Sequence, residues 1–352
     1  MVDRNRVTIA ILAKDLGLGK ATISLALRDD PRIRSETREK VQRYAVKMGY
    51  RSNPLVAHVM SQLRSAKISA YRATLALINT AADEKAVRTN TTYRSISEGF
   101  RKRAAELGYQ VEDLWVGDEI FSDPARLKKA FYTRKIEGVA FLGIAEKNTL
   151  PEQVHGLLAE SVFVGLGVRL IQPMVHCCTN NQYGTALVAT QKLLGSGFRR
   201  IGLVMSRAID RQIDGRFTMG FRRGLEEGGW QPELASGMIW NFQLEDLPGF
   251  HRWVQAAKPD ALLCTHTEIP GWLRSLSQGE RRIALAHLDL DPAMEGWAGM
   301  NQHNDLVGVF GVDLLTAHLA RRDLGLPAAA KTMLVESEWV DGRSLRPSEF
   351  LA

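Results

Sequence analysis

The 352-residue chain lacks most of what would mark a membrane or secreted protein. No apolar run approaches the roughly 18–20 residues that span a bilayer. The opening MVDRNRVTIA has no apolar core of the kind a secretory signal carries. Its three cysteines are the adjacent Cys177 and Cys178 and a distant Cys264, which suits neither a disulfide framework nor a metal-ligand spacing. A reducing cytoplasm is the expected setting. Catalytic signatures are missing as well. No His pair is spaced for zinc on one helix face, no G-x-S-x-G elbow occurs, and GLGVRL lacks the third Gly of a dinucleotide fingerprint. GSGFRR follows a predicted helix rather than a strand. LGLGKAT looks like a phosphate loop, but such a loop needs a Gly five residues before its Gly-Lys and a hydroxyl residue directly after the Lys. Lys14 and Ala21 fill those positions. The expectation is a protein that is not an enzyme and carries no cofactor.

Positive charge is abundant in one place only. Residues 1–64 hold 13 Lys/Arg against 6 Asp/Glu, and the rest of the chain balances at 33 of each, so the whole excess of +7 lies in the first fifth. A basic module on a neutral body is the electrostatic footprint of nucleic-acid binding. The length predicts two or three domains.

Within the basic segment, Leu12 and Leu16 lie four apart, as do Ile23 and Leu27. Val41, Tyr44, Ala45 and Met48 follow the i, i+3, i+4, i+7 stripe of one helix face. Gly17 can end a first helix through positive φ, and Gly19 can start a second. Ser35 is the expected cap of a third helix and Gly49 its terminator. Three short helices over one small core follow. The run VTIAILAKDLGLGKATISLALRDDPRIRSETREKVQRYAVKMGYRSNPL then resembles the DNA-binding headpiece of the LacI/GalR family of bacterial transcription regulators. The resemblance rests on Ala21-Thr22-Ile23-Ser24, on Ser35-Glu36-Thr37-Arg38-Glu39-Lys40-Val41, and on Gly49-Tyr50 with Asn53-Pro54-Leu55.

It implies a helix-turn-helix whose second helix turns Lys20, Ala21, Ser24 and Leu25 toward base edges in the major groove. Lys20 can donate to guanine O6/N7, and Ala21 offers methyl contact. Leu25 stands where family members often carry Arg, which removes one polar base contact. Thr22, Ser24 and Arg28 are the expected phosphate ligands, and Thr8 and Asn53 complete the implied DNA-binding set.

Asn53-Pro54 is a good helix start, and Leu55, Val56, Val59, Met60 and Leu63 form a stripe behind it. The resemblance makes this segment a hinge helix that pairs with its twin and pushes an apolar wedge into the minor groove. Val59 takes the wedge position and Met60 follows it. Either side chain could insert.

From about residue 72, β-prone runs (74–79, 138–143, 161–166, 201–205, 260–264, 282–288) alternate with helical segments (93–107, 124–135, 183–195, 216–227, 304–319). That alternation predicts parallel sheets with helices on both faces, divided between two lobes that meet at a cleft. NNQYGTALVATQKLLGSGFRRIGLV and KTMLVESEWVDGRSLRP resemble the family's effector domain, which is similar to periplasmic sugar-binding proteins.

The expected architecture is an all-α helix-turn-helix headpiece (1–52), a hinge helix and linker (53–71), and a periplasmic-binding-protein-like α/β effector domain of two doubly wound lobes (72–352). Carried over by resemblance, the effector-binding candidates are Asn79, Tyr93, Arg216, Trp240, His266 and Asp289. Thr267 and Gly165 replace acidic positions common in the family, so a ligand different from the common hexoses is expected. The implied function is a ligand-responsive repressor, homodimeric on a pseudo-palindromic double-stranded DNA operator, with a sugar or sugar derivative as effector and no membrane partner. The rival is a cytoplasmic small-molecule-binding protein that never engages an operator.

Overall fold

The computed structural model describes residues 9–27, 30–48, 50, 73–143, 148–150, 152–242, 246–276 and 282–350, and the chain divides into two units, Met1–Tyr71 and Arg72–Ala352. In the first unit, helices α1 (Ile9–Leu16), α2 (Lys20–Ala26) and α3 (Ser35–Lys47) close over Leu12, Ala13, Ile23, Ala26, Val41 and Ala45. Gly17 takes φ +65° after α1, and Gly19 is the N-cap of α2. The amide of Gln42 donates to the Ala26 carbonyl at 3.1 Å, and the Tyr44 hydroxyl donates to Asp15 at 3.2 Å, fastening α3 to both earlier helices. Two boundaries differ from expectation. The extended residue before α3 is Arg34, so Ser35 is already helical and its hydroxyl is not the cap. Met48 follows the last helical residue as C-cap and is 36% exposed instead of joining the stripe. Burying a Leu, Ile or Val contributes about 1.5–3 kcal/mol. A core with three such side chains is therefore marginal by itself.

The second unit holds two six-stranded sheets. Lobe 1 is built from β1 (Thr74–Asn79), β2 (Gln110–Trp115), β3 (Ile136–Leu142), β4 (Val162–Leu166), β5 (His176–Asn180) and β11 (Thr332–Val335), in the order β11-β5-β4-β3-β1-β2. Lobe 2 is built from β6 (Ile201–Ser206), β7 (Ile239–Phe242), β8 (Ala261–Cys264), β9 (Ala284–His287), β10 (Ala298–Asn301) and β12 (Glu338–Val340), in the order β12-β10-β9-β8-β6-β7. All neighbours run parallel except β12, which is antiparallel to β10. Central strands are buried on both faces, as β1 and β4 show, because helices cover each side.

The body's helices run in chain order as α4 (Ala86–Thr89), α5 (Thr91–Glu106), α6 (Pro124–Arg134), α7 (Gln182–Gly195), α8 (Arg207–Gln212), α9 (Arg216–Glu227) and α10 (Pro232–Gly237), then α11 (Leu247–Ala257), α12 (Ile269–Arg274), α13 (Asn304–Arg321) and α14 (Pro347–Phe350). In lobe 1, α5 and α13 bury Ile96, Phe100, Val307, Val312 and Leu315 on one face of the sheet, and α6 buries Leu127 and Phe131 on the other. In lobe 2, α7 and α9 cover one face through Leu193, Phe217, Phe221 and Leu225, while α11 and α12 cover the other through Phe250, Val254 and Leu273. No helix among the described residues is long and apolar enough to cross a membrane.

Two helix pairs are packed backbone to backbone. A Cβ at Gly308 of α13 would lie 2.0 Å from the Ile96 carbonyl oxygen of α5, and one at Gly220 of α9 would lie 2.1 Å from the Tyr183 carbonyl oxygen of α7. Gly220 thus has no room for a side chain. These contacts fix the first turns of α5, α9 and α13, all of which open beside the carboxyl ends of strands. The chain passes between the lobes after β5, after β10 and between β11 and β12, so the ends of β5 and β10 lie where the lobes join.

Candidate DNA-contacting face and effector cleft

Helix α2 buries Ile23 and Ala26 against the small core, which leaves its other residues outward by the 3.6-residue period. Lys20 and Ala21 are exposed at its start, and Thr22, Ser24 and Leu25 are half-buried around the same helix. The exposed basic residues Lys14, Arg34, Lys40, Arg43 and Lys47 share this unit. Thr8, Arg28, Asn53, Val59 and Met60 lie outside the described residues.

In the body, hydrogen bonds cross from one lobe to the other at the strands' carboxyl ends. Thr92, in the first turn of α5, donates through Oγ1 to Asp289 Oδ2 at 2.7 Å. Asn304, the first residue of α13, donates through Nδ2 to Asp289 Oδ1 at 2.8 Å. Gln302 also bonds the Asp289 side chain. Asn148 Nδ2 donates to the Gln212 carbonyl at 2.8 Å, and Gln212 Nε2 donates to the Tyr93 hydroxyl at 3.3 Å. At the join, Asn180 Nδ2 donates to the Gln302 carbonyl at 2.8 Å. The outer edge carries wider ion pairs, Arg94–Asp291 at 3.4 Å and Arg169–Asp214 at 3.5 Å.

The six effector candidates are only partly brought together. Tyr93 and Asp289 lie on this seam, linked through Thr92. Arg216 begins α9 and holds Gln182 Oε1 at 3.0 Å and Asp214 at 3.4 Å, beside the Asp214–Arg169 pair. Asn79 ends β1 but uses its whole amide locally. Its Nδ2 donates to the Asp83 and Glu84 carbonyls and its Oδ1 accepts from the Ala81 N–H. His266 follows β8 and meets Phe242 edge to face with ring centroids 4.9 Å apart, and Phe242 in turn meets Trp272 with centroids 5.3 Å apart. Trp240 belongs to β7, with its ring centroid 6.2 Å from that of Trp253 and its ring close against Gly249 of α11. It is half-buried and packs against the α11 layer, on the same face of β7 as Phe242.

Residues that the sequence reading missed carry much of the seam: Thr92, Asn148, Gln212, Gln302 and Asn304. The available signal was NTTYR. Asn90 caps α5 by accepting the Tyr93 N–H, so Thr92 necessarily sits in a first turn facing strand ends.

No family model matches the chain. Among curated proteins it is similar to the HTH-type transcriptional regulator CelR of Thermobifida fusca, 24% identical over 246 residues that make up 68% of this chain and 65% of that protein. It is also similar to the catabolite control protein A of Priestia megaterium, 23% identical over 224 residues, 63% of this chain and 62% of that one. The chain therefore spans less than two thirds of the length of these relatives. Among solved structures, a CelR–cellobiose complex superposes with TM-score 0.58 at 19% identity, covering 96% of this chain and all of that one. The lac repressor dimer bound to operator and the anti-inducer ONPF gives 0.54 at 17% identity, with 97% and 99% covered. The fold is that of the CelR and lac repressor structures.

In the two-lobed body the seam's electrostatics follow from burial. Enclosure raises the Asp289 carboxyl above its ordinary range, while the bonds from Thr92, Asn304 and Gln302 favour the charged form and pull it back. His287, at the end of β9, accepts the Asp289 N–H on Nδ1 at 3.1 Å, and burial pushes its pKa down to about 4. The ring is thus neutral and holds the Asp289 backbone. Four amide oxygens at or beside the seam, Asn148 Oδ1, Asn241 Oδ1, Gln302 Oε1 and Asn304 Oδ1, are buried without a donor among the described residues. Their amide nitrogens are committed to acceptors: the Gln212 carbonyl, Asp210 and, for both Gln302 and Asn304, Asp289. Among the described residues the seam thus leaves both acceptors and a donor unsatisfied, since His287 Nε2, which carries the proton when Nδ1 accepts, is buried without a partner as well.

Proposed function

We propose that the chain is a ligand-responsive, sequence-specific DNA-binding transcription regulator acting as a repressor, homodimeric on a pseudo-palindromic operator, with its effector taken between the two lobes. The observation that carries the reading is the exposed start of α2, Lys20 and Ala21, on a basic three-helix unit attached to a neutral two-lobed body. A recognition helix reads bases with its early residues. A two-fold dimer would set two such helices on half-sites one helical turn or a multiple apart.

Buried polar groups without partners are costly, at about 1–3 kcal/mol each, so a ligand rich in hydroxyl groups, which both donate and accept, is the effector class that the seam favours. A sugar derivative fits that description. The similar CelR structure is a complex with cellobiose, which agrees with this class. The hinge segment at 53–71, with Val59 or Met60 as wedge, belongs to the same proposal, and no catalysis is part of it. Selection of bound fragments from genomic DNA, followed by mobility shift of the recovered duplex against random competitor, tests it. Enrichment of a palindrome with a preserved half-site spacing supports the proposal. Recovery of unrelated fragments would leave the chain a small-molecule-binding protein without an operator.

A further inference from the structure

Asp289 is distinguished by where its partners come from. The carboxylate belongs to lobe 2, just beyond β9, yet two of its three side-chain donors open lobe 1 helices: Thr92 in the first turn of α5 and Asn304 at the start of α13. Both helices lie on one face of the lobe 1 sheet and are packed so tightly at Gly308 that their first turns cannot separate without unpacking. The carboxylate thus sits at the amino ends of two parallel-sheet helices, where backbone partial charge favours an anion, and its backbone is fixed by His287. A charge-assisted bond of 2.7 Å is among the strongest polar contacts a protein makes. The Asn148–Gln212–Tyr93 chain crosses the same seam a short way off.

We infer that Asp289 with Thr92 and Asn304 is a built-in latch that holds the two lobes closed on each other without an effector. The chain's own hydroxyl and amide then occupy the carboxylate that family resemblance assigns to ligand. An effector can shift the lobes only by binding the latched and unlatched arrangements with different affinity. Thr92 is a positioning residue in this scheme, acting through Asp289. The latch is a property of the seam and stands whether or not the chain binds DNA, so its failure and that of the regulator reading are separable.

The test is a distance distribution by pulsed electron resonance on the full chain, with no small molecule added. Spin labels go on Glu119→Cys, exposed after β2 in lobe 1, and Arg211→Cys, exposed on α8 in lobe 2. Assemblies are diluted with unlabelled chain so that each carries one labelled copy. The native Cys177, Cys178 and Cys264 are buried, and burial pushes their thiols up to about 12, so labelling is confined to the introduced sites. The parent should show one short-distance population. Thr92→Val, which keeps shape and removes the donor, should raise the ratio of long- to short-distance populations about tenfold or more, the shift that losing a hydrogen bond to a charged group brings. Thr92→Ser should restore the parental distribution. A Thr92→Val distribution identical to the parent's overturns the latch, and so does a Thr92→Ser distribution that matches the valine variant. Circular dichroism confirms that each variant is folded, and Thr92→Ala is read the same way should the valine variant not fold.

Discussion

At the scale of single residues, two histidines kept neutral by burial make the stability of the body depend on pH. His287 accepts the Asp289 N–H, and His176, which accepts the Lys331 N–H at 3.0 Å, stacks on His318 at 3.9 Å. Burial lowers both to about 4, and for His176 the nearby His318, Lys331 and Arg321 add to the effect while Asp323 opposes it. Unfolded histidine takes up a proton near pH 6.5, and the folded chain refuses it until about 4. Their contribution to stability is therefore complete above about pH 6.5 and is lost progressively as pH falls toward 4. At pH 5 the loss is about 2 kcal/mol for each histidine. Asp289 has the opposite sign, since its raised pKa favours the folded state increasingly as pH falls. Urea midpoints at pH 7 and pH 5 should show the histidine loss, and His287→Gln should remove roughly half of it. A second residue-scale expectation concerns Lys20. If it donates to a guanine, Lys20→Ala costs about 1–3 kcal/mol of operator affinity and relaxes base preference at one position per half-site, which competition binding with single-base operator variants reads directly.

At the scale of elements, the helix pairs carry the body. Gly308→Ala puts a methyl group on the Ile96 carbonyl and forces α5 from α13. Overpacking of this kind typically costs about 1–3 kcal/mol, and chemical denaturation should show a loss at the upper end because the clash is with backbone. This scale also shows what could be read in advance. TLALIN matched its strand residue for residue, and segment 216–227 matched its helix, because an apolar run or a 3.6-residue stripe was uninterrupted. β2 (QVEDLW) escaped because it is an edge strand with a charged residue on each face, Glu112 on one and Asp113 on the other, and α11 (LPGFHRWVQAA) escaped because Pro248 and Gly249 resemble a turn. The structure shows Pro248 in the first turn and Asp246 capping the helix. Short strands such as β10 and β12 are held by neighbours from distant parts of the chain and have no local signature. The seam was legible only in part for the same reason. Asp289 and Tyr93 were singled out, but Thr92 and Asp289 are 197 residues apart, and nothing along the chain announces that pair. Trp240, a ligand candidate by its chemistry, packs partly against the α11 layer.

At the scale of the whole molecule, charge and architecture divide the labour. All of the net positive charge lies in the first fifth of the chain, and the two-lobed body is neutral. On the proposed reading, DNA affinity should be strongly salt-dependent and effector affinity nearly salt-independent. With about six phosphate contacts, operator affinity should fall roughly a thousandfold between about 50 and 200 mM salt. Coupling between effector and DNA should amount to about 1–3 kcal/mol and be reciprocal. The measurement that bears most directly on this account is a binding isotherm of the purified chain on its selected duplex and on random duplex of equal length, at one fixed salt concentration. The account predicts a preference of about a thousandfold or more for the selected site, greatly reduced by Lys20→Ala. Equal affinity for the two duplexes, unchanged by that substitution, would contradict it.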